Sequence, residues 1–530
     1  MASSLWRVLV IAHRYLGIAV GVLMLMWFAS GIVMMYVGFP QGIGKERLGV
    51  LAPIVWQGCC RVEGPLDDND AFERVEVETL FGKPVLRLRR PPLPERVIDL
   101  DSGAAKEIDF DLAQSIARDA SPRLVGTEAP IAEAEEIEED DQWTVGRYRA
   151  DRPLFRFAFA DPAATTLYVS GTSGRIVLRT TASQRFWNWL GAVPHWIYPT
   201  ALRSNGLLWS RIVIWASIIG IFLTVLGLYL GIAQIKRGKR VSPYRGLFFW
   251  HHMTGLVFGI ITLTFVASGL VSMNPWGFLE GRRSGERALI EGAAMRWGAI
   301  KASLEAVKAQ APHAVSLATA PLAGRLYWLA IDGAGQVTRI DAAGHPAPLT
   351  AADLAAAAQR IGGANAIASQ EMLAREDAYY FAHHDDVVLP VYRIILDNAD
   401  ATRFYLDPAT GVLLKRADAN ARWQRWLFSG FHRLDFTEGM RNRPLWDIVM
   451  VGEVVGVLAR QYLLRCDCVG AADPRGRCDE IGRGEGGRMS GGVQSCDLSC
   501  PVGGKPIEAA GQWRAGEACR MGGLQPHRLQ

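Results

Sequence analysis

Apolar and polar positions along this chain fall into two regimes. Three apolar runs, Leu16–Val37, Leu207–Ile235 and Leu247–Met273, contain no acidic residue. A helix rising ~1.5 Å per residue crosses a ~30 Å hydrocarbon layer with roughly 20 apolar residues, so each run is long enough to span a bilayer. A fourth run, Pro444–Leu464, is interrupted by Glu453 and Arg460. The first run follows Arg7 and Arg14, as a signal peptide would. It exceeds the ~7–15 apolar residues of such a peptide and ends in Met34–Met35–Tyr36 without a cleavage site, so it reads as an uncleaved anchor. Between the runs the period shortens. Val85–Arg89 and Val97–Asp101 alternate as strands do, whereas Leu112–Ala117 and Leu354–Ile361 carry the helical period.

The fold class expected from this pattern is a membrane α-helical protein with four transmembrane helices and two extracytoplasmic α+β domains. The predicted boundaries are helix one at 1–38, the first outer domain at 39–205, helix two at 206–236 and a basic loop at 237–246. Helix three follows at 247–275, the second outer domain at 276–443 and helix four at 444–465. A Gly-, Cys- and Arg-rich tail closes the chain at 466–530. Each outer domain is expected to hold two strands, a helix and about three more strands.

Charge adds orientation. Lys236, Arg237, Lys239, Arg240 and Arg245 crowd the short connection between helices two and three, with no acid among them. The positive-inside rule places that connection and the amino terminus in the cytoplasm, and both long connections outside, in the periplasm of a bacterium. The formal net charge of +4 over 530 residues, with no basic patch, points away from nucleic acid. Trp6, Trp209, Trp250, Trp276 and Trp446 stand near the ends of apolar runs, where amphipathic rings favour the membrane–water interface.

The sequence repeats. His13-x-x-x-Gly17-x-x-x-Gly21 returns as His251-x-x-x-Gly255-x-x-x-Gly259, and Ala29–Ser30–Gly31 as Ala267–Ser268–Gly269, both displaced by 238 positions. Trp189–Leu190 with His195 returns as Trp426–Leu427 with His432, displaced by 237, as does Leu208–Trp209 in Leu445–Trp446. In the outer domains, Pro153-x-Phe155–Arg156 matches Pro390-x-Tyr392–Arg393, and Tyr168 with Gly174 matches Tyr405 with Gly411. Near-constant displacement over sparse residues indicates a tandem duplication. Both halves begin on the cytoplasmic side, so they form parallel repeats about an axis along the membrane normal.

Four of the ten histidines occupy repeat-equivalent membrane positions. His13 and His251 lie near the cytoplasmic ends of helices one and three, and His195 and His432 on the outer approach to helices two and four. An ionisable residue at membrane depth is a functional candidate, because hydrocarbon penalises polar groups. A two-fold axis brings His13 towards His251 and His195 towards His432, supplying two axial nitrogens to one iron at each level. Glycines on the same helix stripe admit either a flat macrocycle or a closely packed helix.

His13–Arg14–Tyr15–Leu16–Gly17, the two Ala-Ser-Gly exits, His251 with Gly255, and Tyr405-x-Asp407–Pro408-x-x-Gly411 resemble the PepSY-associated transmembrane family. That family includes inner-membrane ferric-siderophore reductases, and the resemblance covers residues 1 to about 450. It implies b-type haem, two groups here, with His13, His195, His251 and His432 as ligands. It also implies an oxidoreductase of the bacterial inner membrane that reduces ferric iron, as a siderophore or other ferric chelate, in the periplasm. One departure is that Val169–Ser170–Gly171 stands where the second half has Leu406–Asp407–Pro408.

No dinucleotide fingerprint, P-loop or flavin motif is present, so the electron donor is expected to be external, a quinol or a cytoplasmic reductase. His383–His384–Asp385–Asp386 is a candidate for facing substrate iron, and the acidic run Glu133–Asp141 reads as a solvated face. Glu453 and Arg460 would cost roughly 2.5–3.5 kcal/mol each in lipid. Helix four is therefore expected to insert poorly, leaving an outer haem at low occupancy. The sequence from Gly452 onward is read as a misread frame or damaged terminus, and a proton or ion role for the two charges is the alternative. Six of the eight cysteines lie in the tail without a metal-site spacing, and Cys59–Cys60 have no partner elsewhere in their domain. The competing reading of the whole chain is a non-redox membrane-anchored module that binds or senses a peptide, chelate or envelope partner.

Overall fold

The computed structural model describes residues 2–44, 46–60, 66–235, 241–281, 285–363, 365–382 and 387–456. Three helices are long and apolar enough to cross a membrane: α1 (Ala2–Tyr36), α2 (Gly206–Ala233) and α3 (Gly246–Ser272). Their outward faces stay bare, with Trp215 62%, Val257 63% and Ile260 63% exposed. Apolar surface on that scale is incompatible with water and suits lipid. A further helical stretch over 445–456 packs Trp446, Met450 and Val454 against Phe28 of α1 and Phe265 of α3. Arg460, the basic run 236–240, the cysteines of the tail and the cluster His383–Asp386 fall outside the described residues.

Each long connection follows one order of elements. Three antiparallel strands come first, at Arg74–Leu80, Lys83–Arg89 and Arg96–Asp99 in one case and Ala314–Thr319, Tyr327–Asp332 and Val337–Asp341 in the other. A helix follows, Phe110–Leu124 or Ala351–Gly362, and then four strands. Those four run Ile131–Ile137, Leu154–Phe159, Thr166–Ser170 and Ile176–Thr180 in the first, and Ala366–Leu373, Val391–Asp397, Arg403–Leu406 and Leu413–Ala417 in the second. Sequence periodicity therefore undercounted the strands. Arg74–Leu80 is buried on both faces despite Glu76 and Glu78, so it shows no alternation. Ile131–Ile137 is a sheet edge whose acids face water; Arg156 pairs with Glu135 at 2.8 Å. Charge on an unpaired edge blocks further strand addition.

The two outer units are not separate, contrary to the sequence expectation. Arg74–Leu80 pairs antiparallel with Ala314–Thr319, which fuses the two three-stranded sheets into one of six strands. Glu76 and Glu78 lie on the joining strand. Arg175 reaches both, at 2.7 and 3.2 Å, Arg87 meets Glu78 at 2.9 Å, and Ser316 from the second unit donates to Glu76 at 3.0 Å. Burial opposes ionisation of Glu76, but Arg175, Arg74 and Arg47 hold its carboxyl well below the usual carboxylate range. The helix Phe110–Leu124 covers one face of this sheet and Trp297–Lys308 another part, with Trp297 and Leu304 in the core. Cys59 and Cys60 form a disulfide with each other and pack beside that core.

The motifs shared by the two halves occupy matching places. Tyr168 donates to Asp141 at 2.7 Å and Tyr405 to Asp377 at 2.8 Å. Each aspartate also accepts from backbone amides just after it, of Trp143 and Thr144 or of Tyr379 and Tyr380. Burial, then the adjacent carboxylate, push both phenols up. The turns at Gly174 (φ 65°) and Gly411 (φ 77°) use the left-handed backbone that favours glycine.

Candidate functional site

His195 and His432 reach the membrane helices by equivalent routes. After the strand Ile176–Thr180, Thr181 and Gln184 form a capping box for the helix Ala182–Leu190. Gly191 then passes so close to α1 that a Cβ would stand 2.9 Å from Val33, and the turn Ala192–His195 lands on α1. In the other half Asp418 caps a helix that continues through a π-helical turn, Arg425–Gly430, to His432. The buried Arg425–Asp435 pair, 2.7 Å apart, secures that bend.

The repeated Ala-Ser-Gly exits receive these rings. His195 Nδ1 lies 2.9 Å from the Trp27 carbonyl and 3.2 Å from Ser30 Oγ. His432 Nδ1 lies 3.2 Å from the Phe265 carbonyl and 3.0 Å from Ser268 Oγ. A carbonyl only accepts, so Nδ1 carries the proton in both rings and Nε2 keeps its lone pair. Gly31 and Gly269 give the rings room: a Cβ there would lie 3.4 Å from His195 Cε1 and 3.8 Å from His432 Cε1. The two ring centroids are 6.0 Å apart at 71°.

Both rings line a cavity of about 460 Å³ between α1, α2, α3 and the 445–456 stretch. Its walls are mainly aromatic and apolar, including Trp27, Phe28, Trp196, Trp209 and Met450. That size and lining are those of a cofactor or small-molecule site, ~300–1,000 Å³ with few polar groups.

At the other end of the bundle His13 and His251 face each other with centroids 6.3 Å apart at 30°. His13 packs on α2 at Gly227, where a Cβ would stand 2.7 Å from its Cε1. Gly17, one turn along the same face, borders open space, whereas a Cβ at Gly259 would collide with Leu228 at 2.6 Å. The glycine stripe therefore leaves room at one position and permits tight helix packing at another. His13 and Ser30 are 17 residues apart on α1, which sets the two levels about 26 Å apart.

His252, next in sequence to His251, does something different. Its Nδ1 meets Ser242 Oγ at 2.8 Å and its Nε2 the Gly231 carbonyl at 2.7 Å, so it ties the short connection to α2. With both nitrogens engaged, it has none left for a ligand.

The spacing of the paired rings is close to that of two imidazoles sharing one metal. Imidazole nitrogens bind metals at roughly 2.0–2.1 Å, so two rings on opposite sides of one metal would have centroids roughly 6.3–6.5 Å apart. The His13–His251 pair at 6.3 Å meets this and the His195–His432 pair at 6.0 Å falls slightly short. Among the described residues no group of three or more His, Cys, Asp and Glu gathers to hold a bare ion. Paired imidazoles, of which His195 and His432 also line an apolar cavity, are residues that could hold haem.

Sequence reasoning singled out the four histidines but not the residues that aim them. Ser30 and Ser268 were visible only as part of a repeated tripeptide. Gly227 carried no signal, because its counterpart at 464 lies in the divergent end of the chain.

The fold and its helices define a membrane protein with α+β domains. The chain matches the family model for the PepSY-associated TM region over residues 10–331, and it belongs to that family. No curated protein matches it.

Proposed function

We propose that this chain is a tandemly duplicated b-type haem protein with four membrane-spanning helices, which carries electrons across the bacterial inner membrane to ferric iron in the periplasm. The observation that carries this reading is the pair of neighbouring imidazoles at each end of the bundle, with centroids 6.3 and 6.0 Å apart. Residues of opposite halves make each pair, as a two-fold axis requires. His13 and His251 hold the cytoplasmic-side group, and His195 and His432 the outer one. Haem bound there supplies a one-electron couple, and ligation by two protein nitrogens leaves no site for other ligands.

The chain's own part is to fix the geometry. Ser30, Ser268 and the Trp27 and Phe265 carbonyls lock the outer rings in the tautomer that presents Nε2, which raises ligand basicity and orients the ring. The apolar walls exclude water. The substrate is ferric iron held by a siderophore or similar chelate, with His383 and His384 as candidates to face it. The donor is a quinol in the membrane or a cytoplasmic reductase.

Anaerobic reoxidation tests the reading. Reduced protein in lipid vesicles is mixed with ferrioxamine under argon, and the reduced spectrum should decay with release of ferrous iron to a chelator. Persistence of the reduced spectrum with ferrioxamine and with other ferric chelates would contradict it.

A further inference from the structure

Trp196 and Arg433 occupy one structural position in the two halves. Each immediately follows a ligand candidate, His195 or His432. The carbonyl of each accepts from a tryptophan indole, Trp209 at 2.9 Å or Trp446 at 2.7 Å. Each precedes a residue in left-handed backbone, Ile197 (φ 50°) or Leu434 (φ 54°). Both residues line the outer cavity, Trp196 half-buried and Arg433 exposed. The backbone is therefore duplicated, while one wall presents an indole and the other a guanidinium.

Among the described lining residues Arg433 alone carries a fixed charge. The nearby carboxylate, Asp435, is engaged by Arg425, whose Nη1 donates to Oδ1 at 2.7 Å and whose Nη2 donates to the Asp435 carbonyl at 2.8 Å. A guanidinium beside an apolar cavity is matched by a planar carboxylate at that edge, to which it can donate two parallel hydrogen bonds. A porphyrin of the b type carries its two carboxylates on one edge. Without Arg433 the pocket would offer that edge two nearly equivalent orientations.

We infer that Arg433 is the carboxylate-binding residue of the outer site: it takes the propionate edge of the macrocycle held by His195 and His432, and so admits it in one orientation, carboxylates towards the second half. This rests on the haem reading above. Arg433 is a positioning and binding residue with no part in electron transfer itself.

The test measures loss of the outer haem to an excess of apomyoglobin, in the full-length His13→Ala chain so that only the outer group contributes. Arg433→Gln should release haem about tenfold faster or more, and Arg433→Lys should stay between the two. Reconstitution with haem dimethyl ester, which lacks the carboxylates, should bring the unsubstituted Arg433 chain to the fast rate and leave Arg433→Gln unchanged. The ester arm needs no substitution at 433, so poor folding of the variant does not blunt it. Equal release of haem and its ester by the Arg433 chain would overturn the inference while leaving the haem reading intact. A chain that binds no haem would overturn both.

Discussion

Purified His13→Ala and His251→Ala chains are expected to lose one and the same haem and to keep the other. His195→Ala and His432→Ala should lose the complementary one. Each pair draws its two rings from opposite halves, so removing either ring leaves iron with a single protein ligand. The rings are otherwise distant, since about 26 Å of α1 separates the levels, and damage at one should not reach the other. Haem content should fall by about half in all four variants. The discriminating measurement is the double variant: His13→Ala with His251→Ala should resemble either single change, whereas His13→Ala with His195→Ala should be haem-free. His252→Ala serves as the control, because its nitrogens are spent on Ser242 and Gly231, and it should retain both haems. If His13→Ala and His251→Ala remove different haems, the ligands pair within a half and the two-fold arrangement is wrong.

Gly227→Val should empty the cytoplasmic-side site while touching neither of its ligands. A Cβ at 227 would stand 2.7 Å from His13 Cε1, closer than real contacts allow, and it would sit on a helix backbone that cannot retreat. The ring must therefore swing away from its place opposite His251. Glycine inside a helix costs roughly 0.5–1 kcal/mol relative to alanine, so its presence here gives up intrinsic helix stability for space. The expected outcome is loss of the haem that His13→Ala loses, with the outer haem as internal standard and a smaller loss in Gly227→Ala. Full haem content in Gly227→Val would show that His13 does not need this seat.

The membrane character was legible in the sequence because hydrocarbon imposes a simple rule: the three acid-free apolar runs fall on α1, α2 and α3, the helices long and apolar enough to cross a membrane. Repetition also exposed the four histidines. What stayed hidden has physical reasons. The strand Arg74–Leu80 buries glutamates that arginines from other segments neutralise, and no local pattern announces such partners. Its pairing with Ala314–Thr319, which joins the outer units, is a contact across about 240 residues of sequence. The acidic strand Ile131–Ile137 read only as part of a solvated face because its exposed acids break the alternation. The hydrogen bonds that choose the histidine tautomer come from backbone carbonyls, which every sequence possesses. Glu453 lies on a stretch that packs against α1 and α3 through Trp446, Met450 and Val454.

The most direct test of the central claim is the reduced-minus-oxidised absorption spectrum of the purified full-length chain, taken with a pyridine haemochrome count of haem per chain. The account predicts sharp α and β bands of six-coordinate, low-spin haem b, with more than one and at most two haems per chain, the shortfall from two being in the outer group. Protein that purifies colourless from haem-replete cells would contradict it.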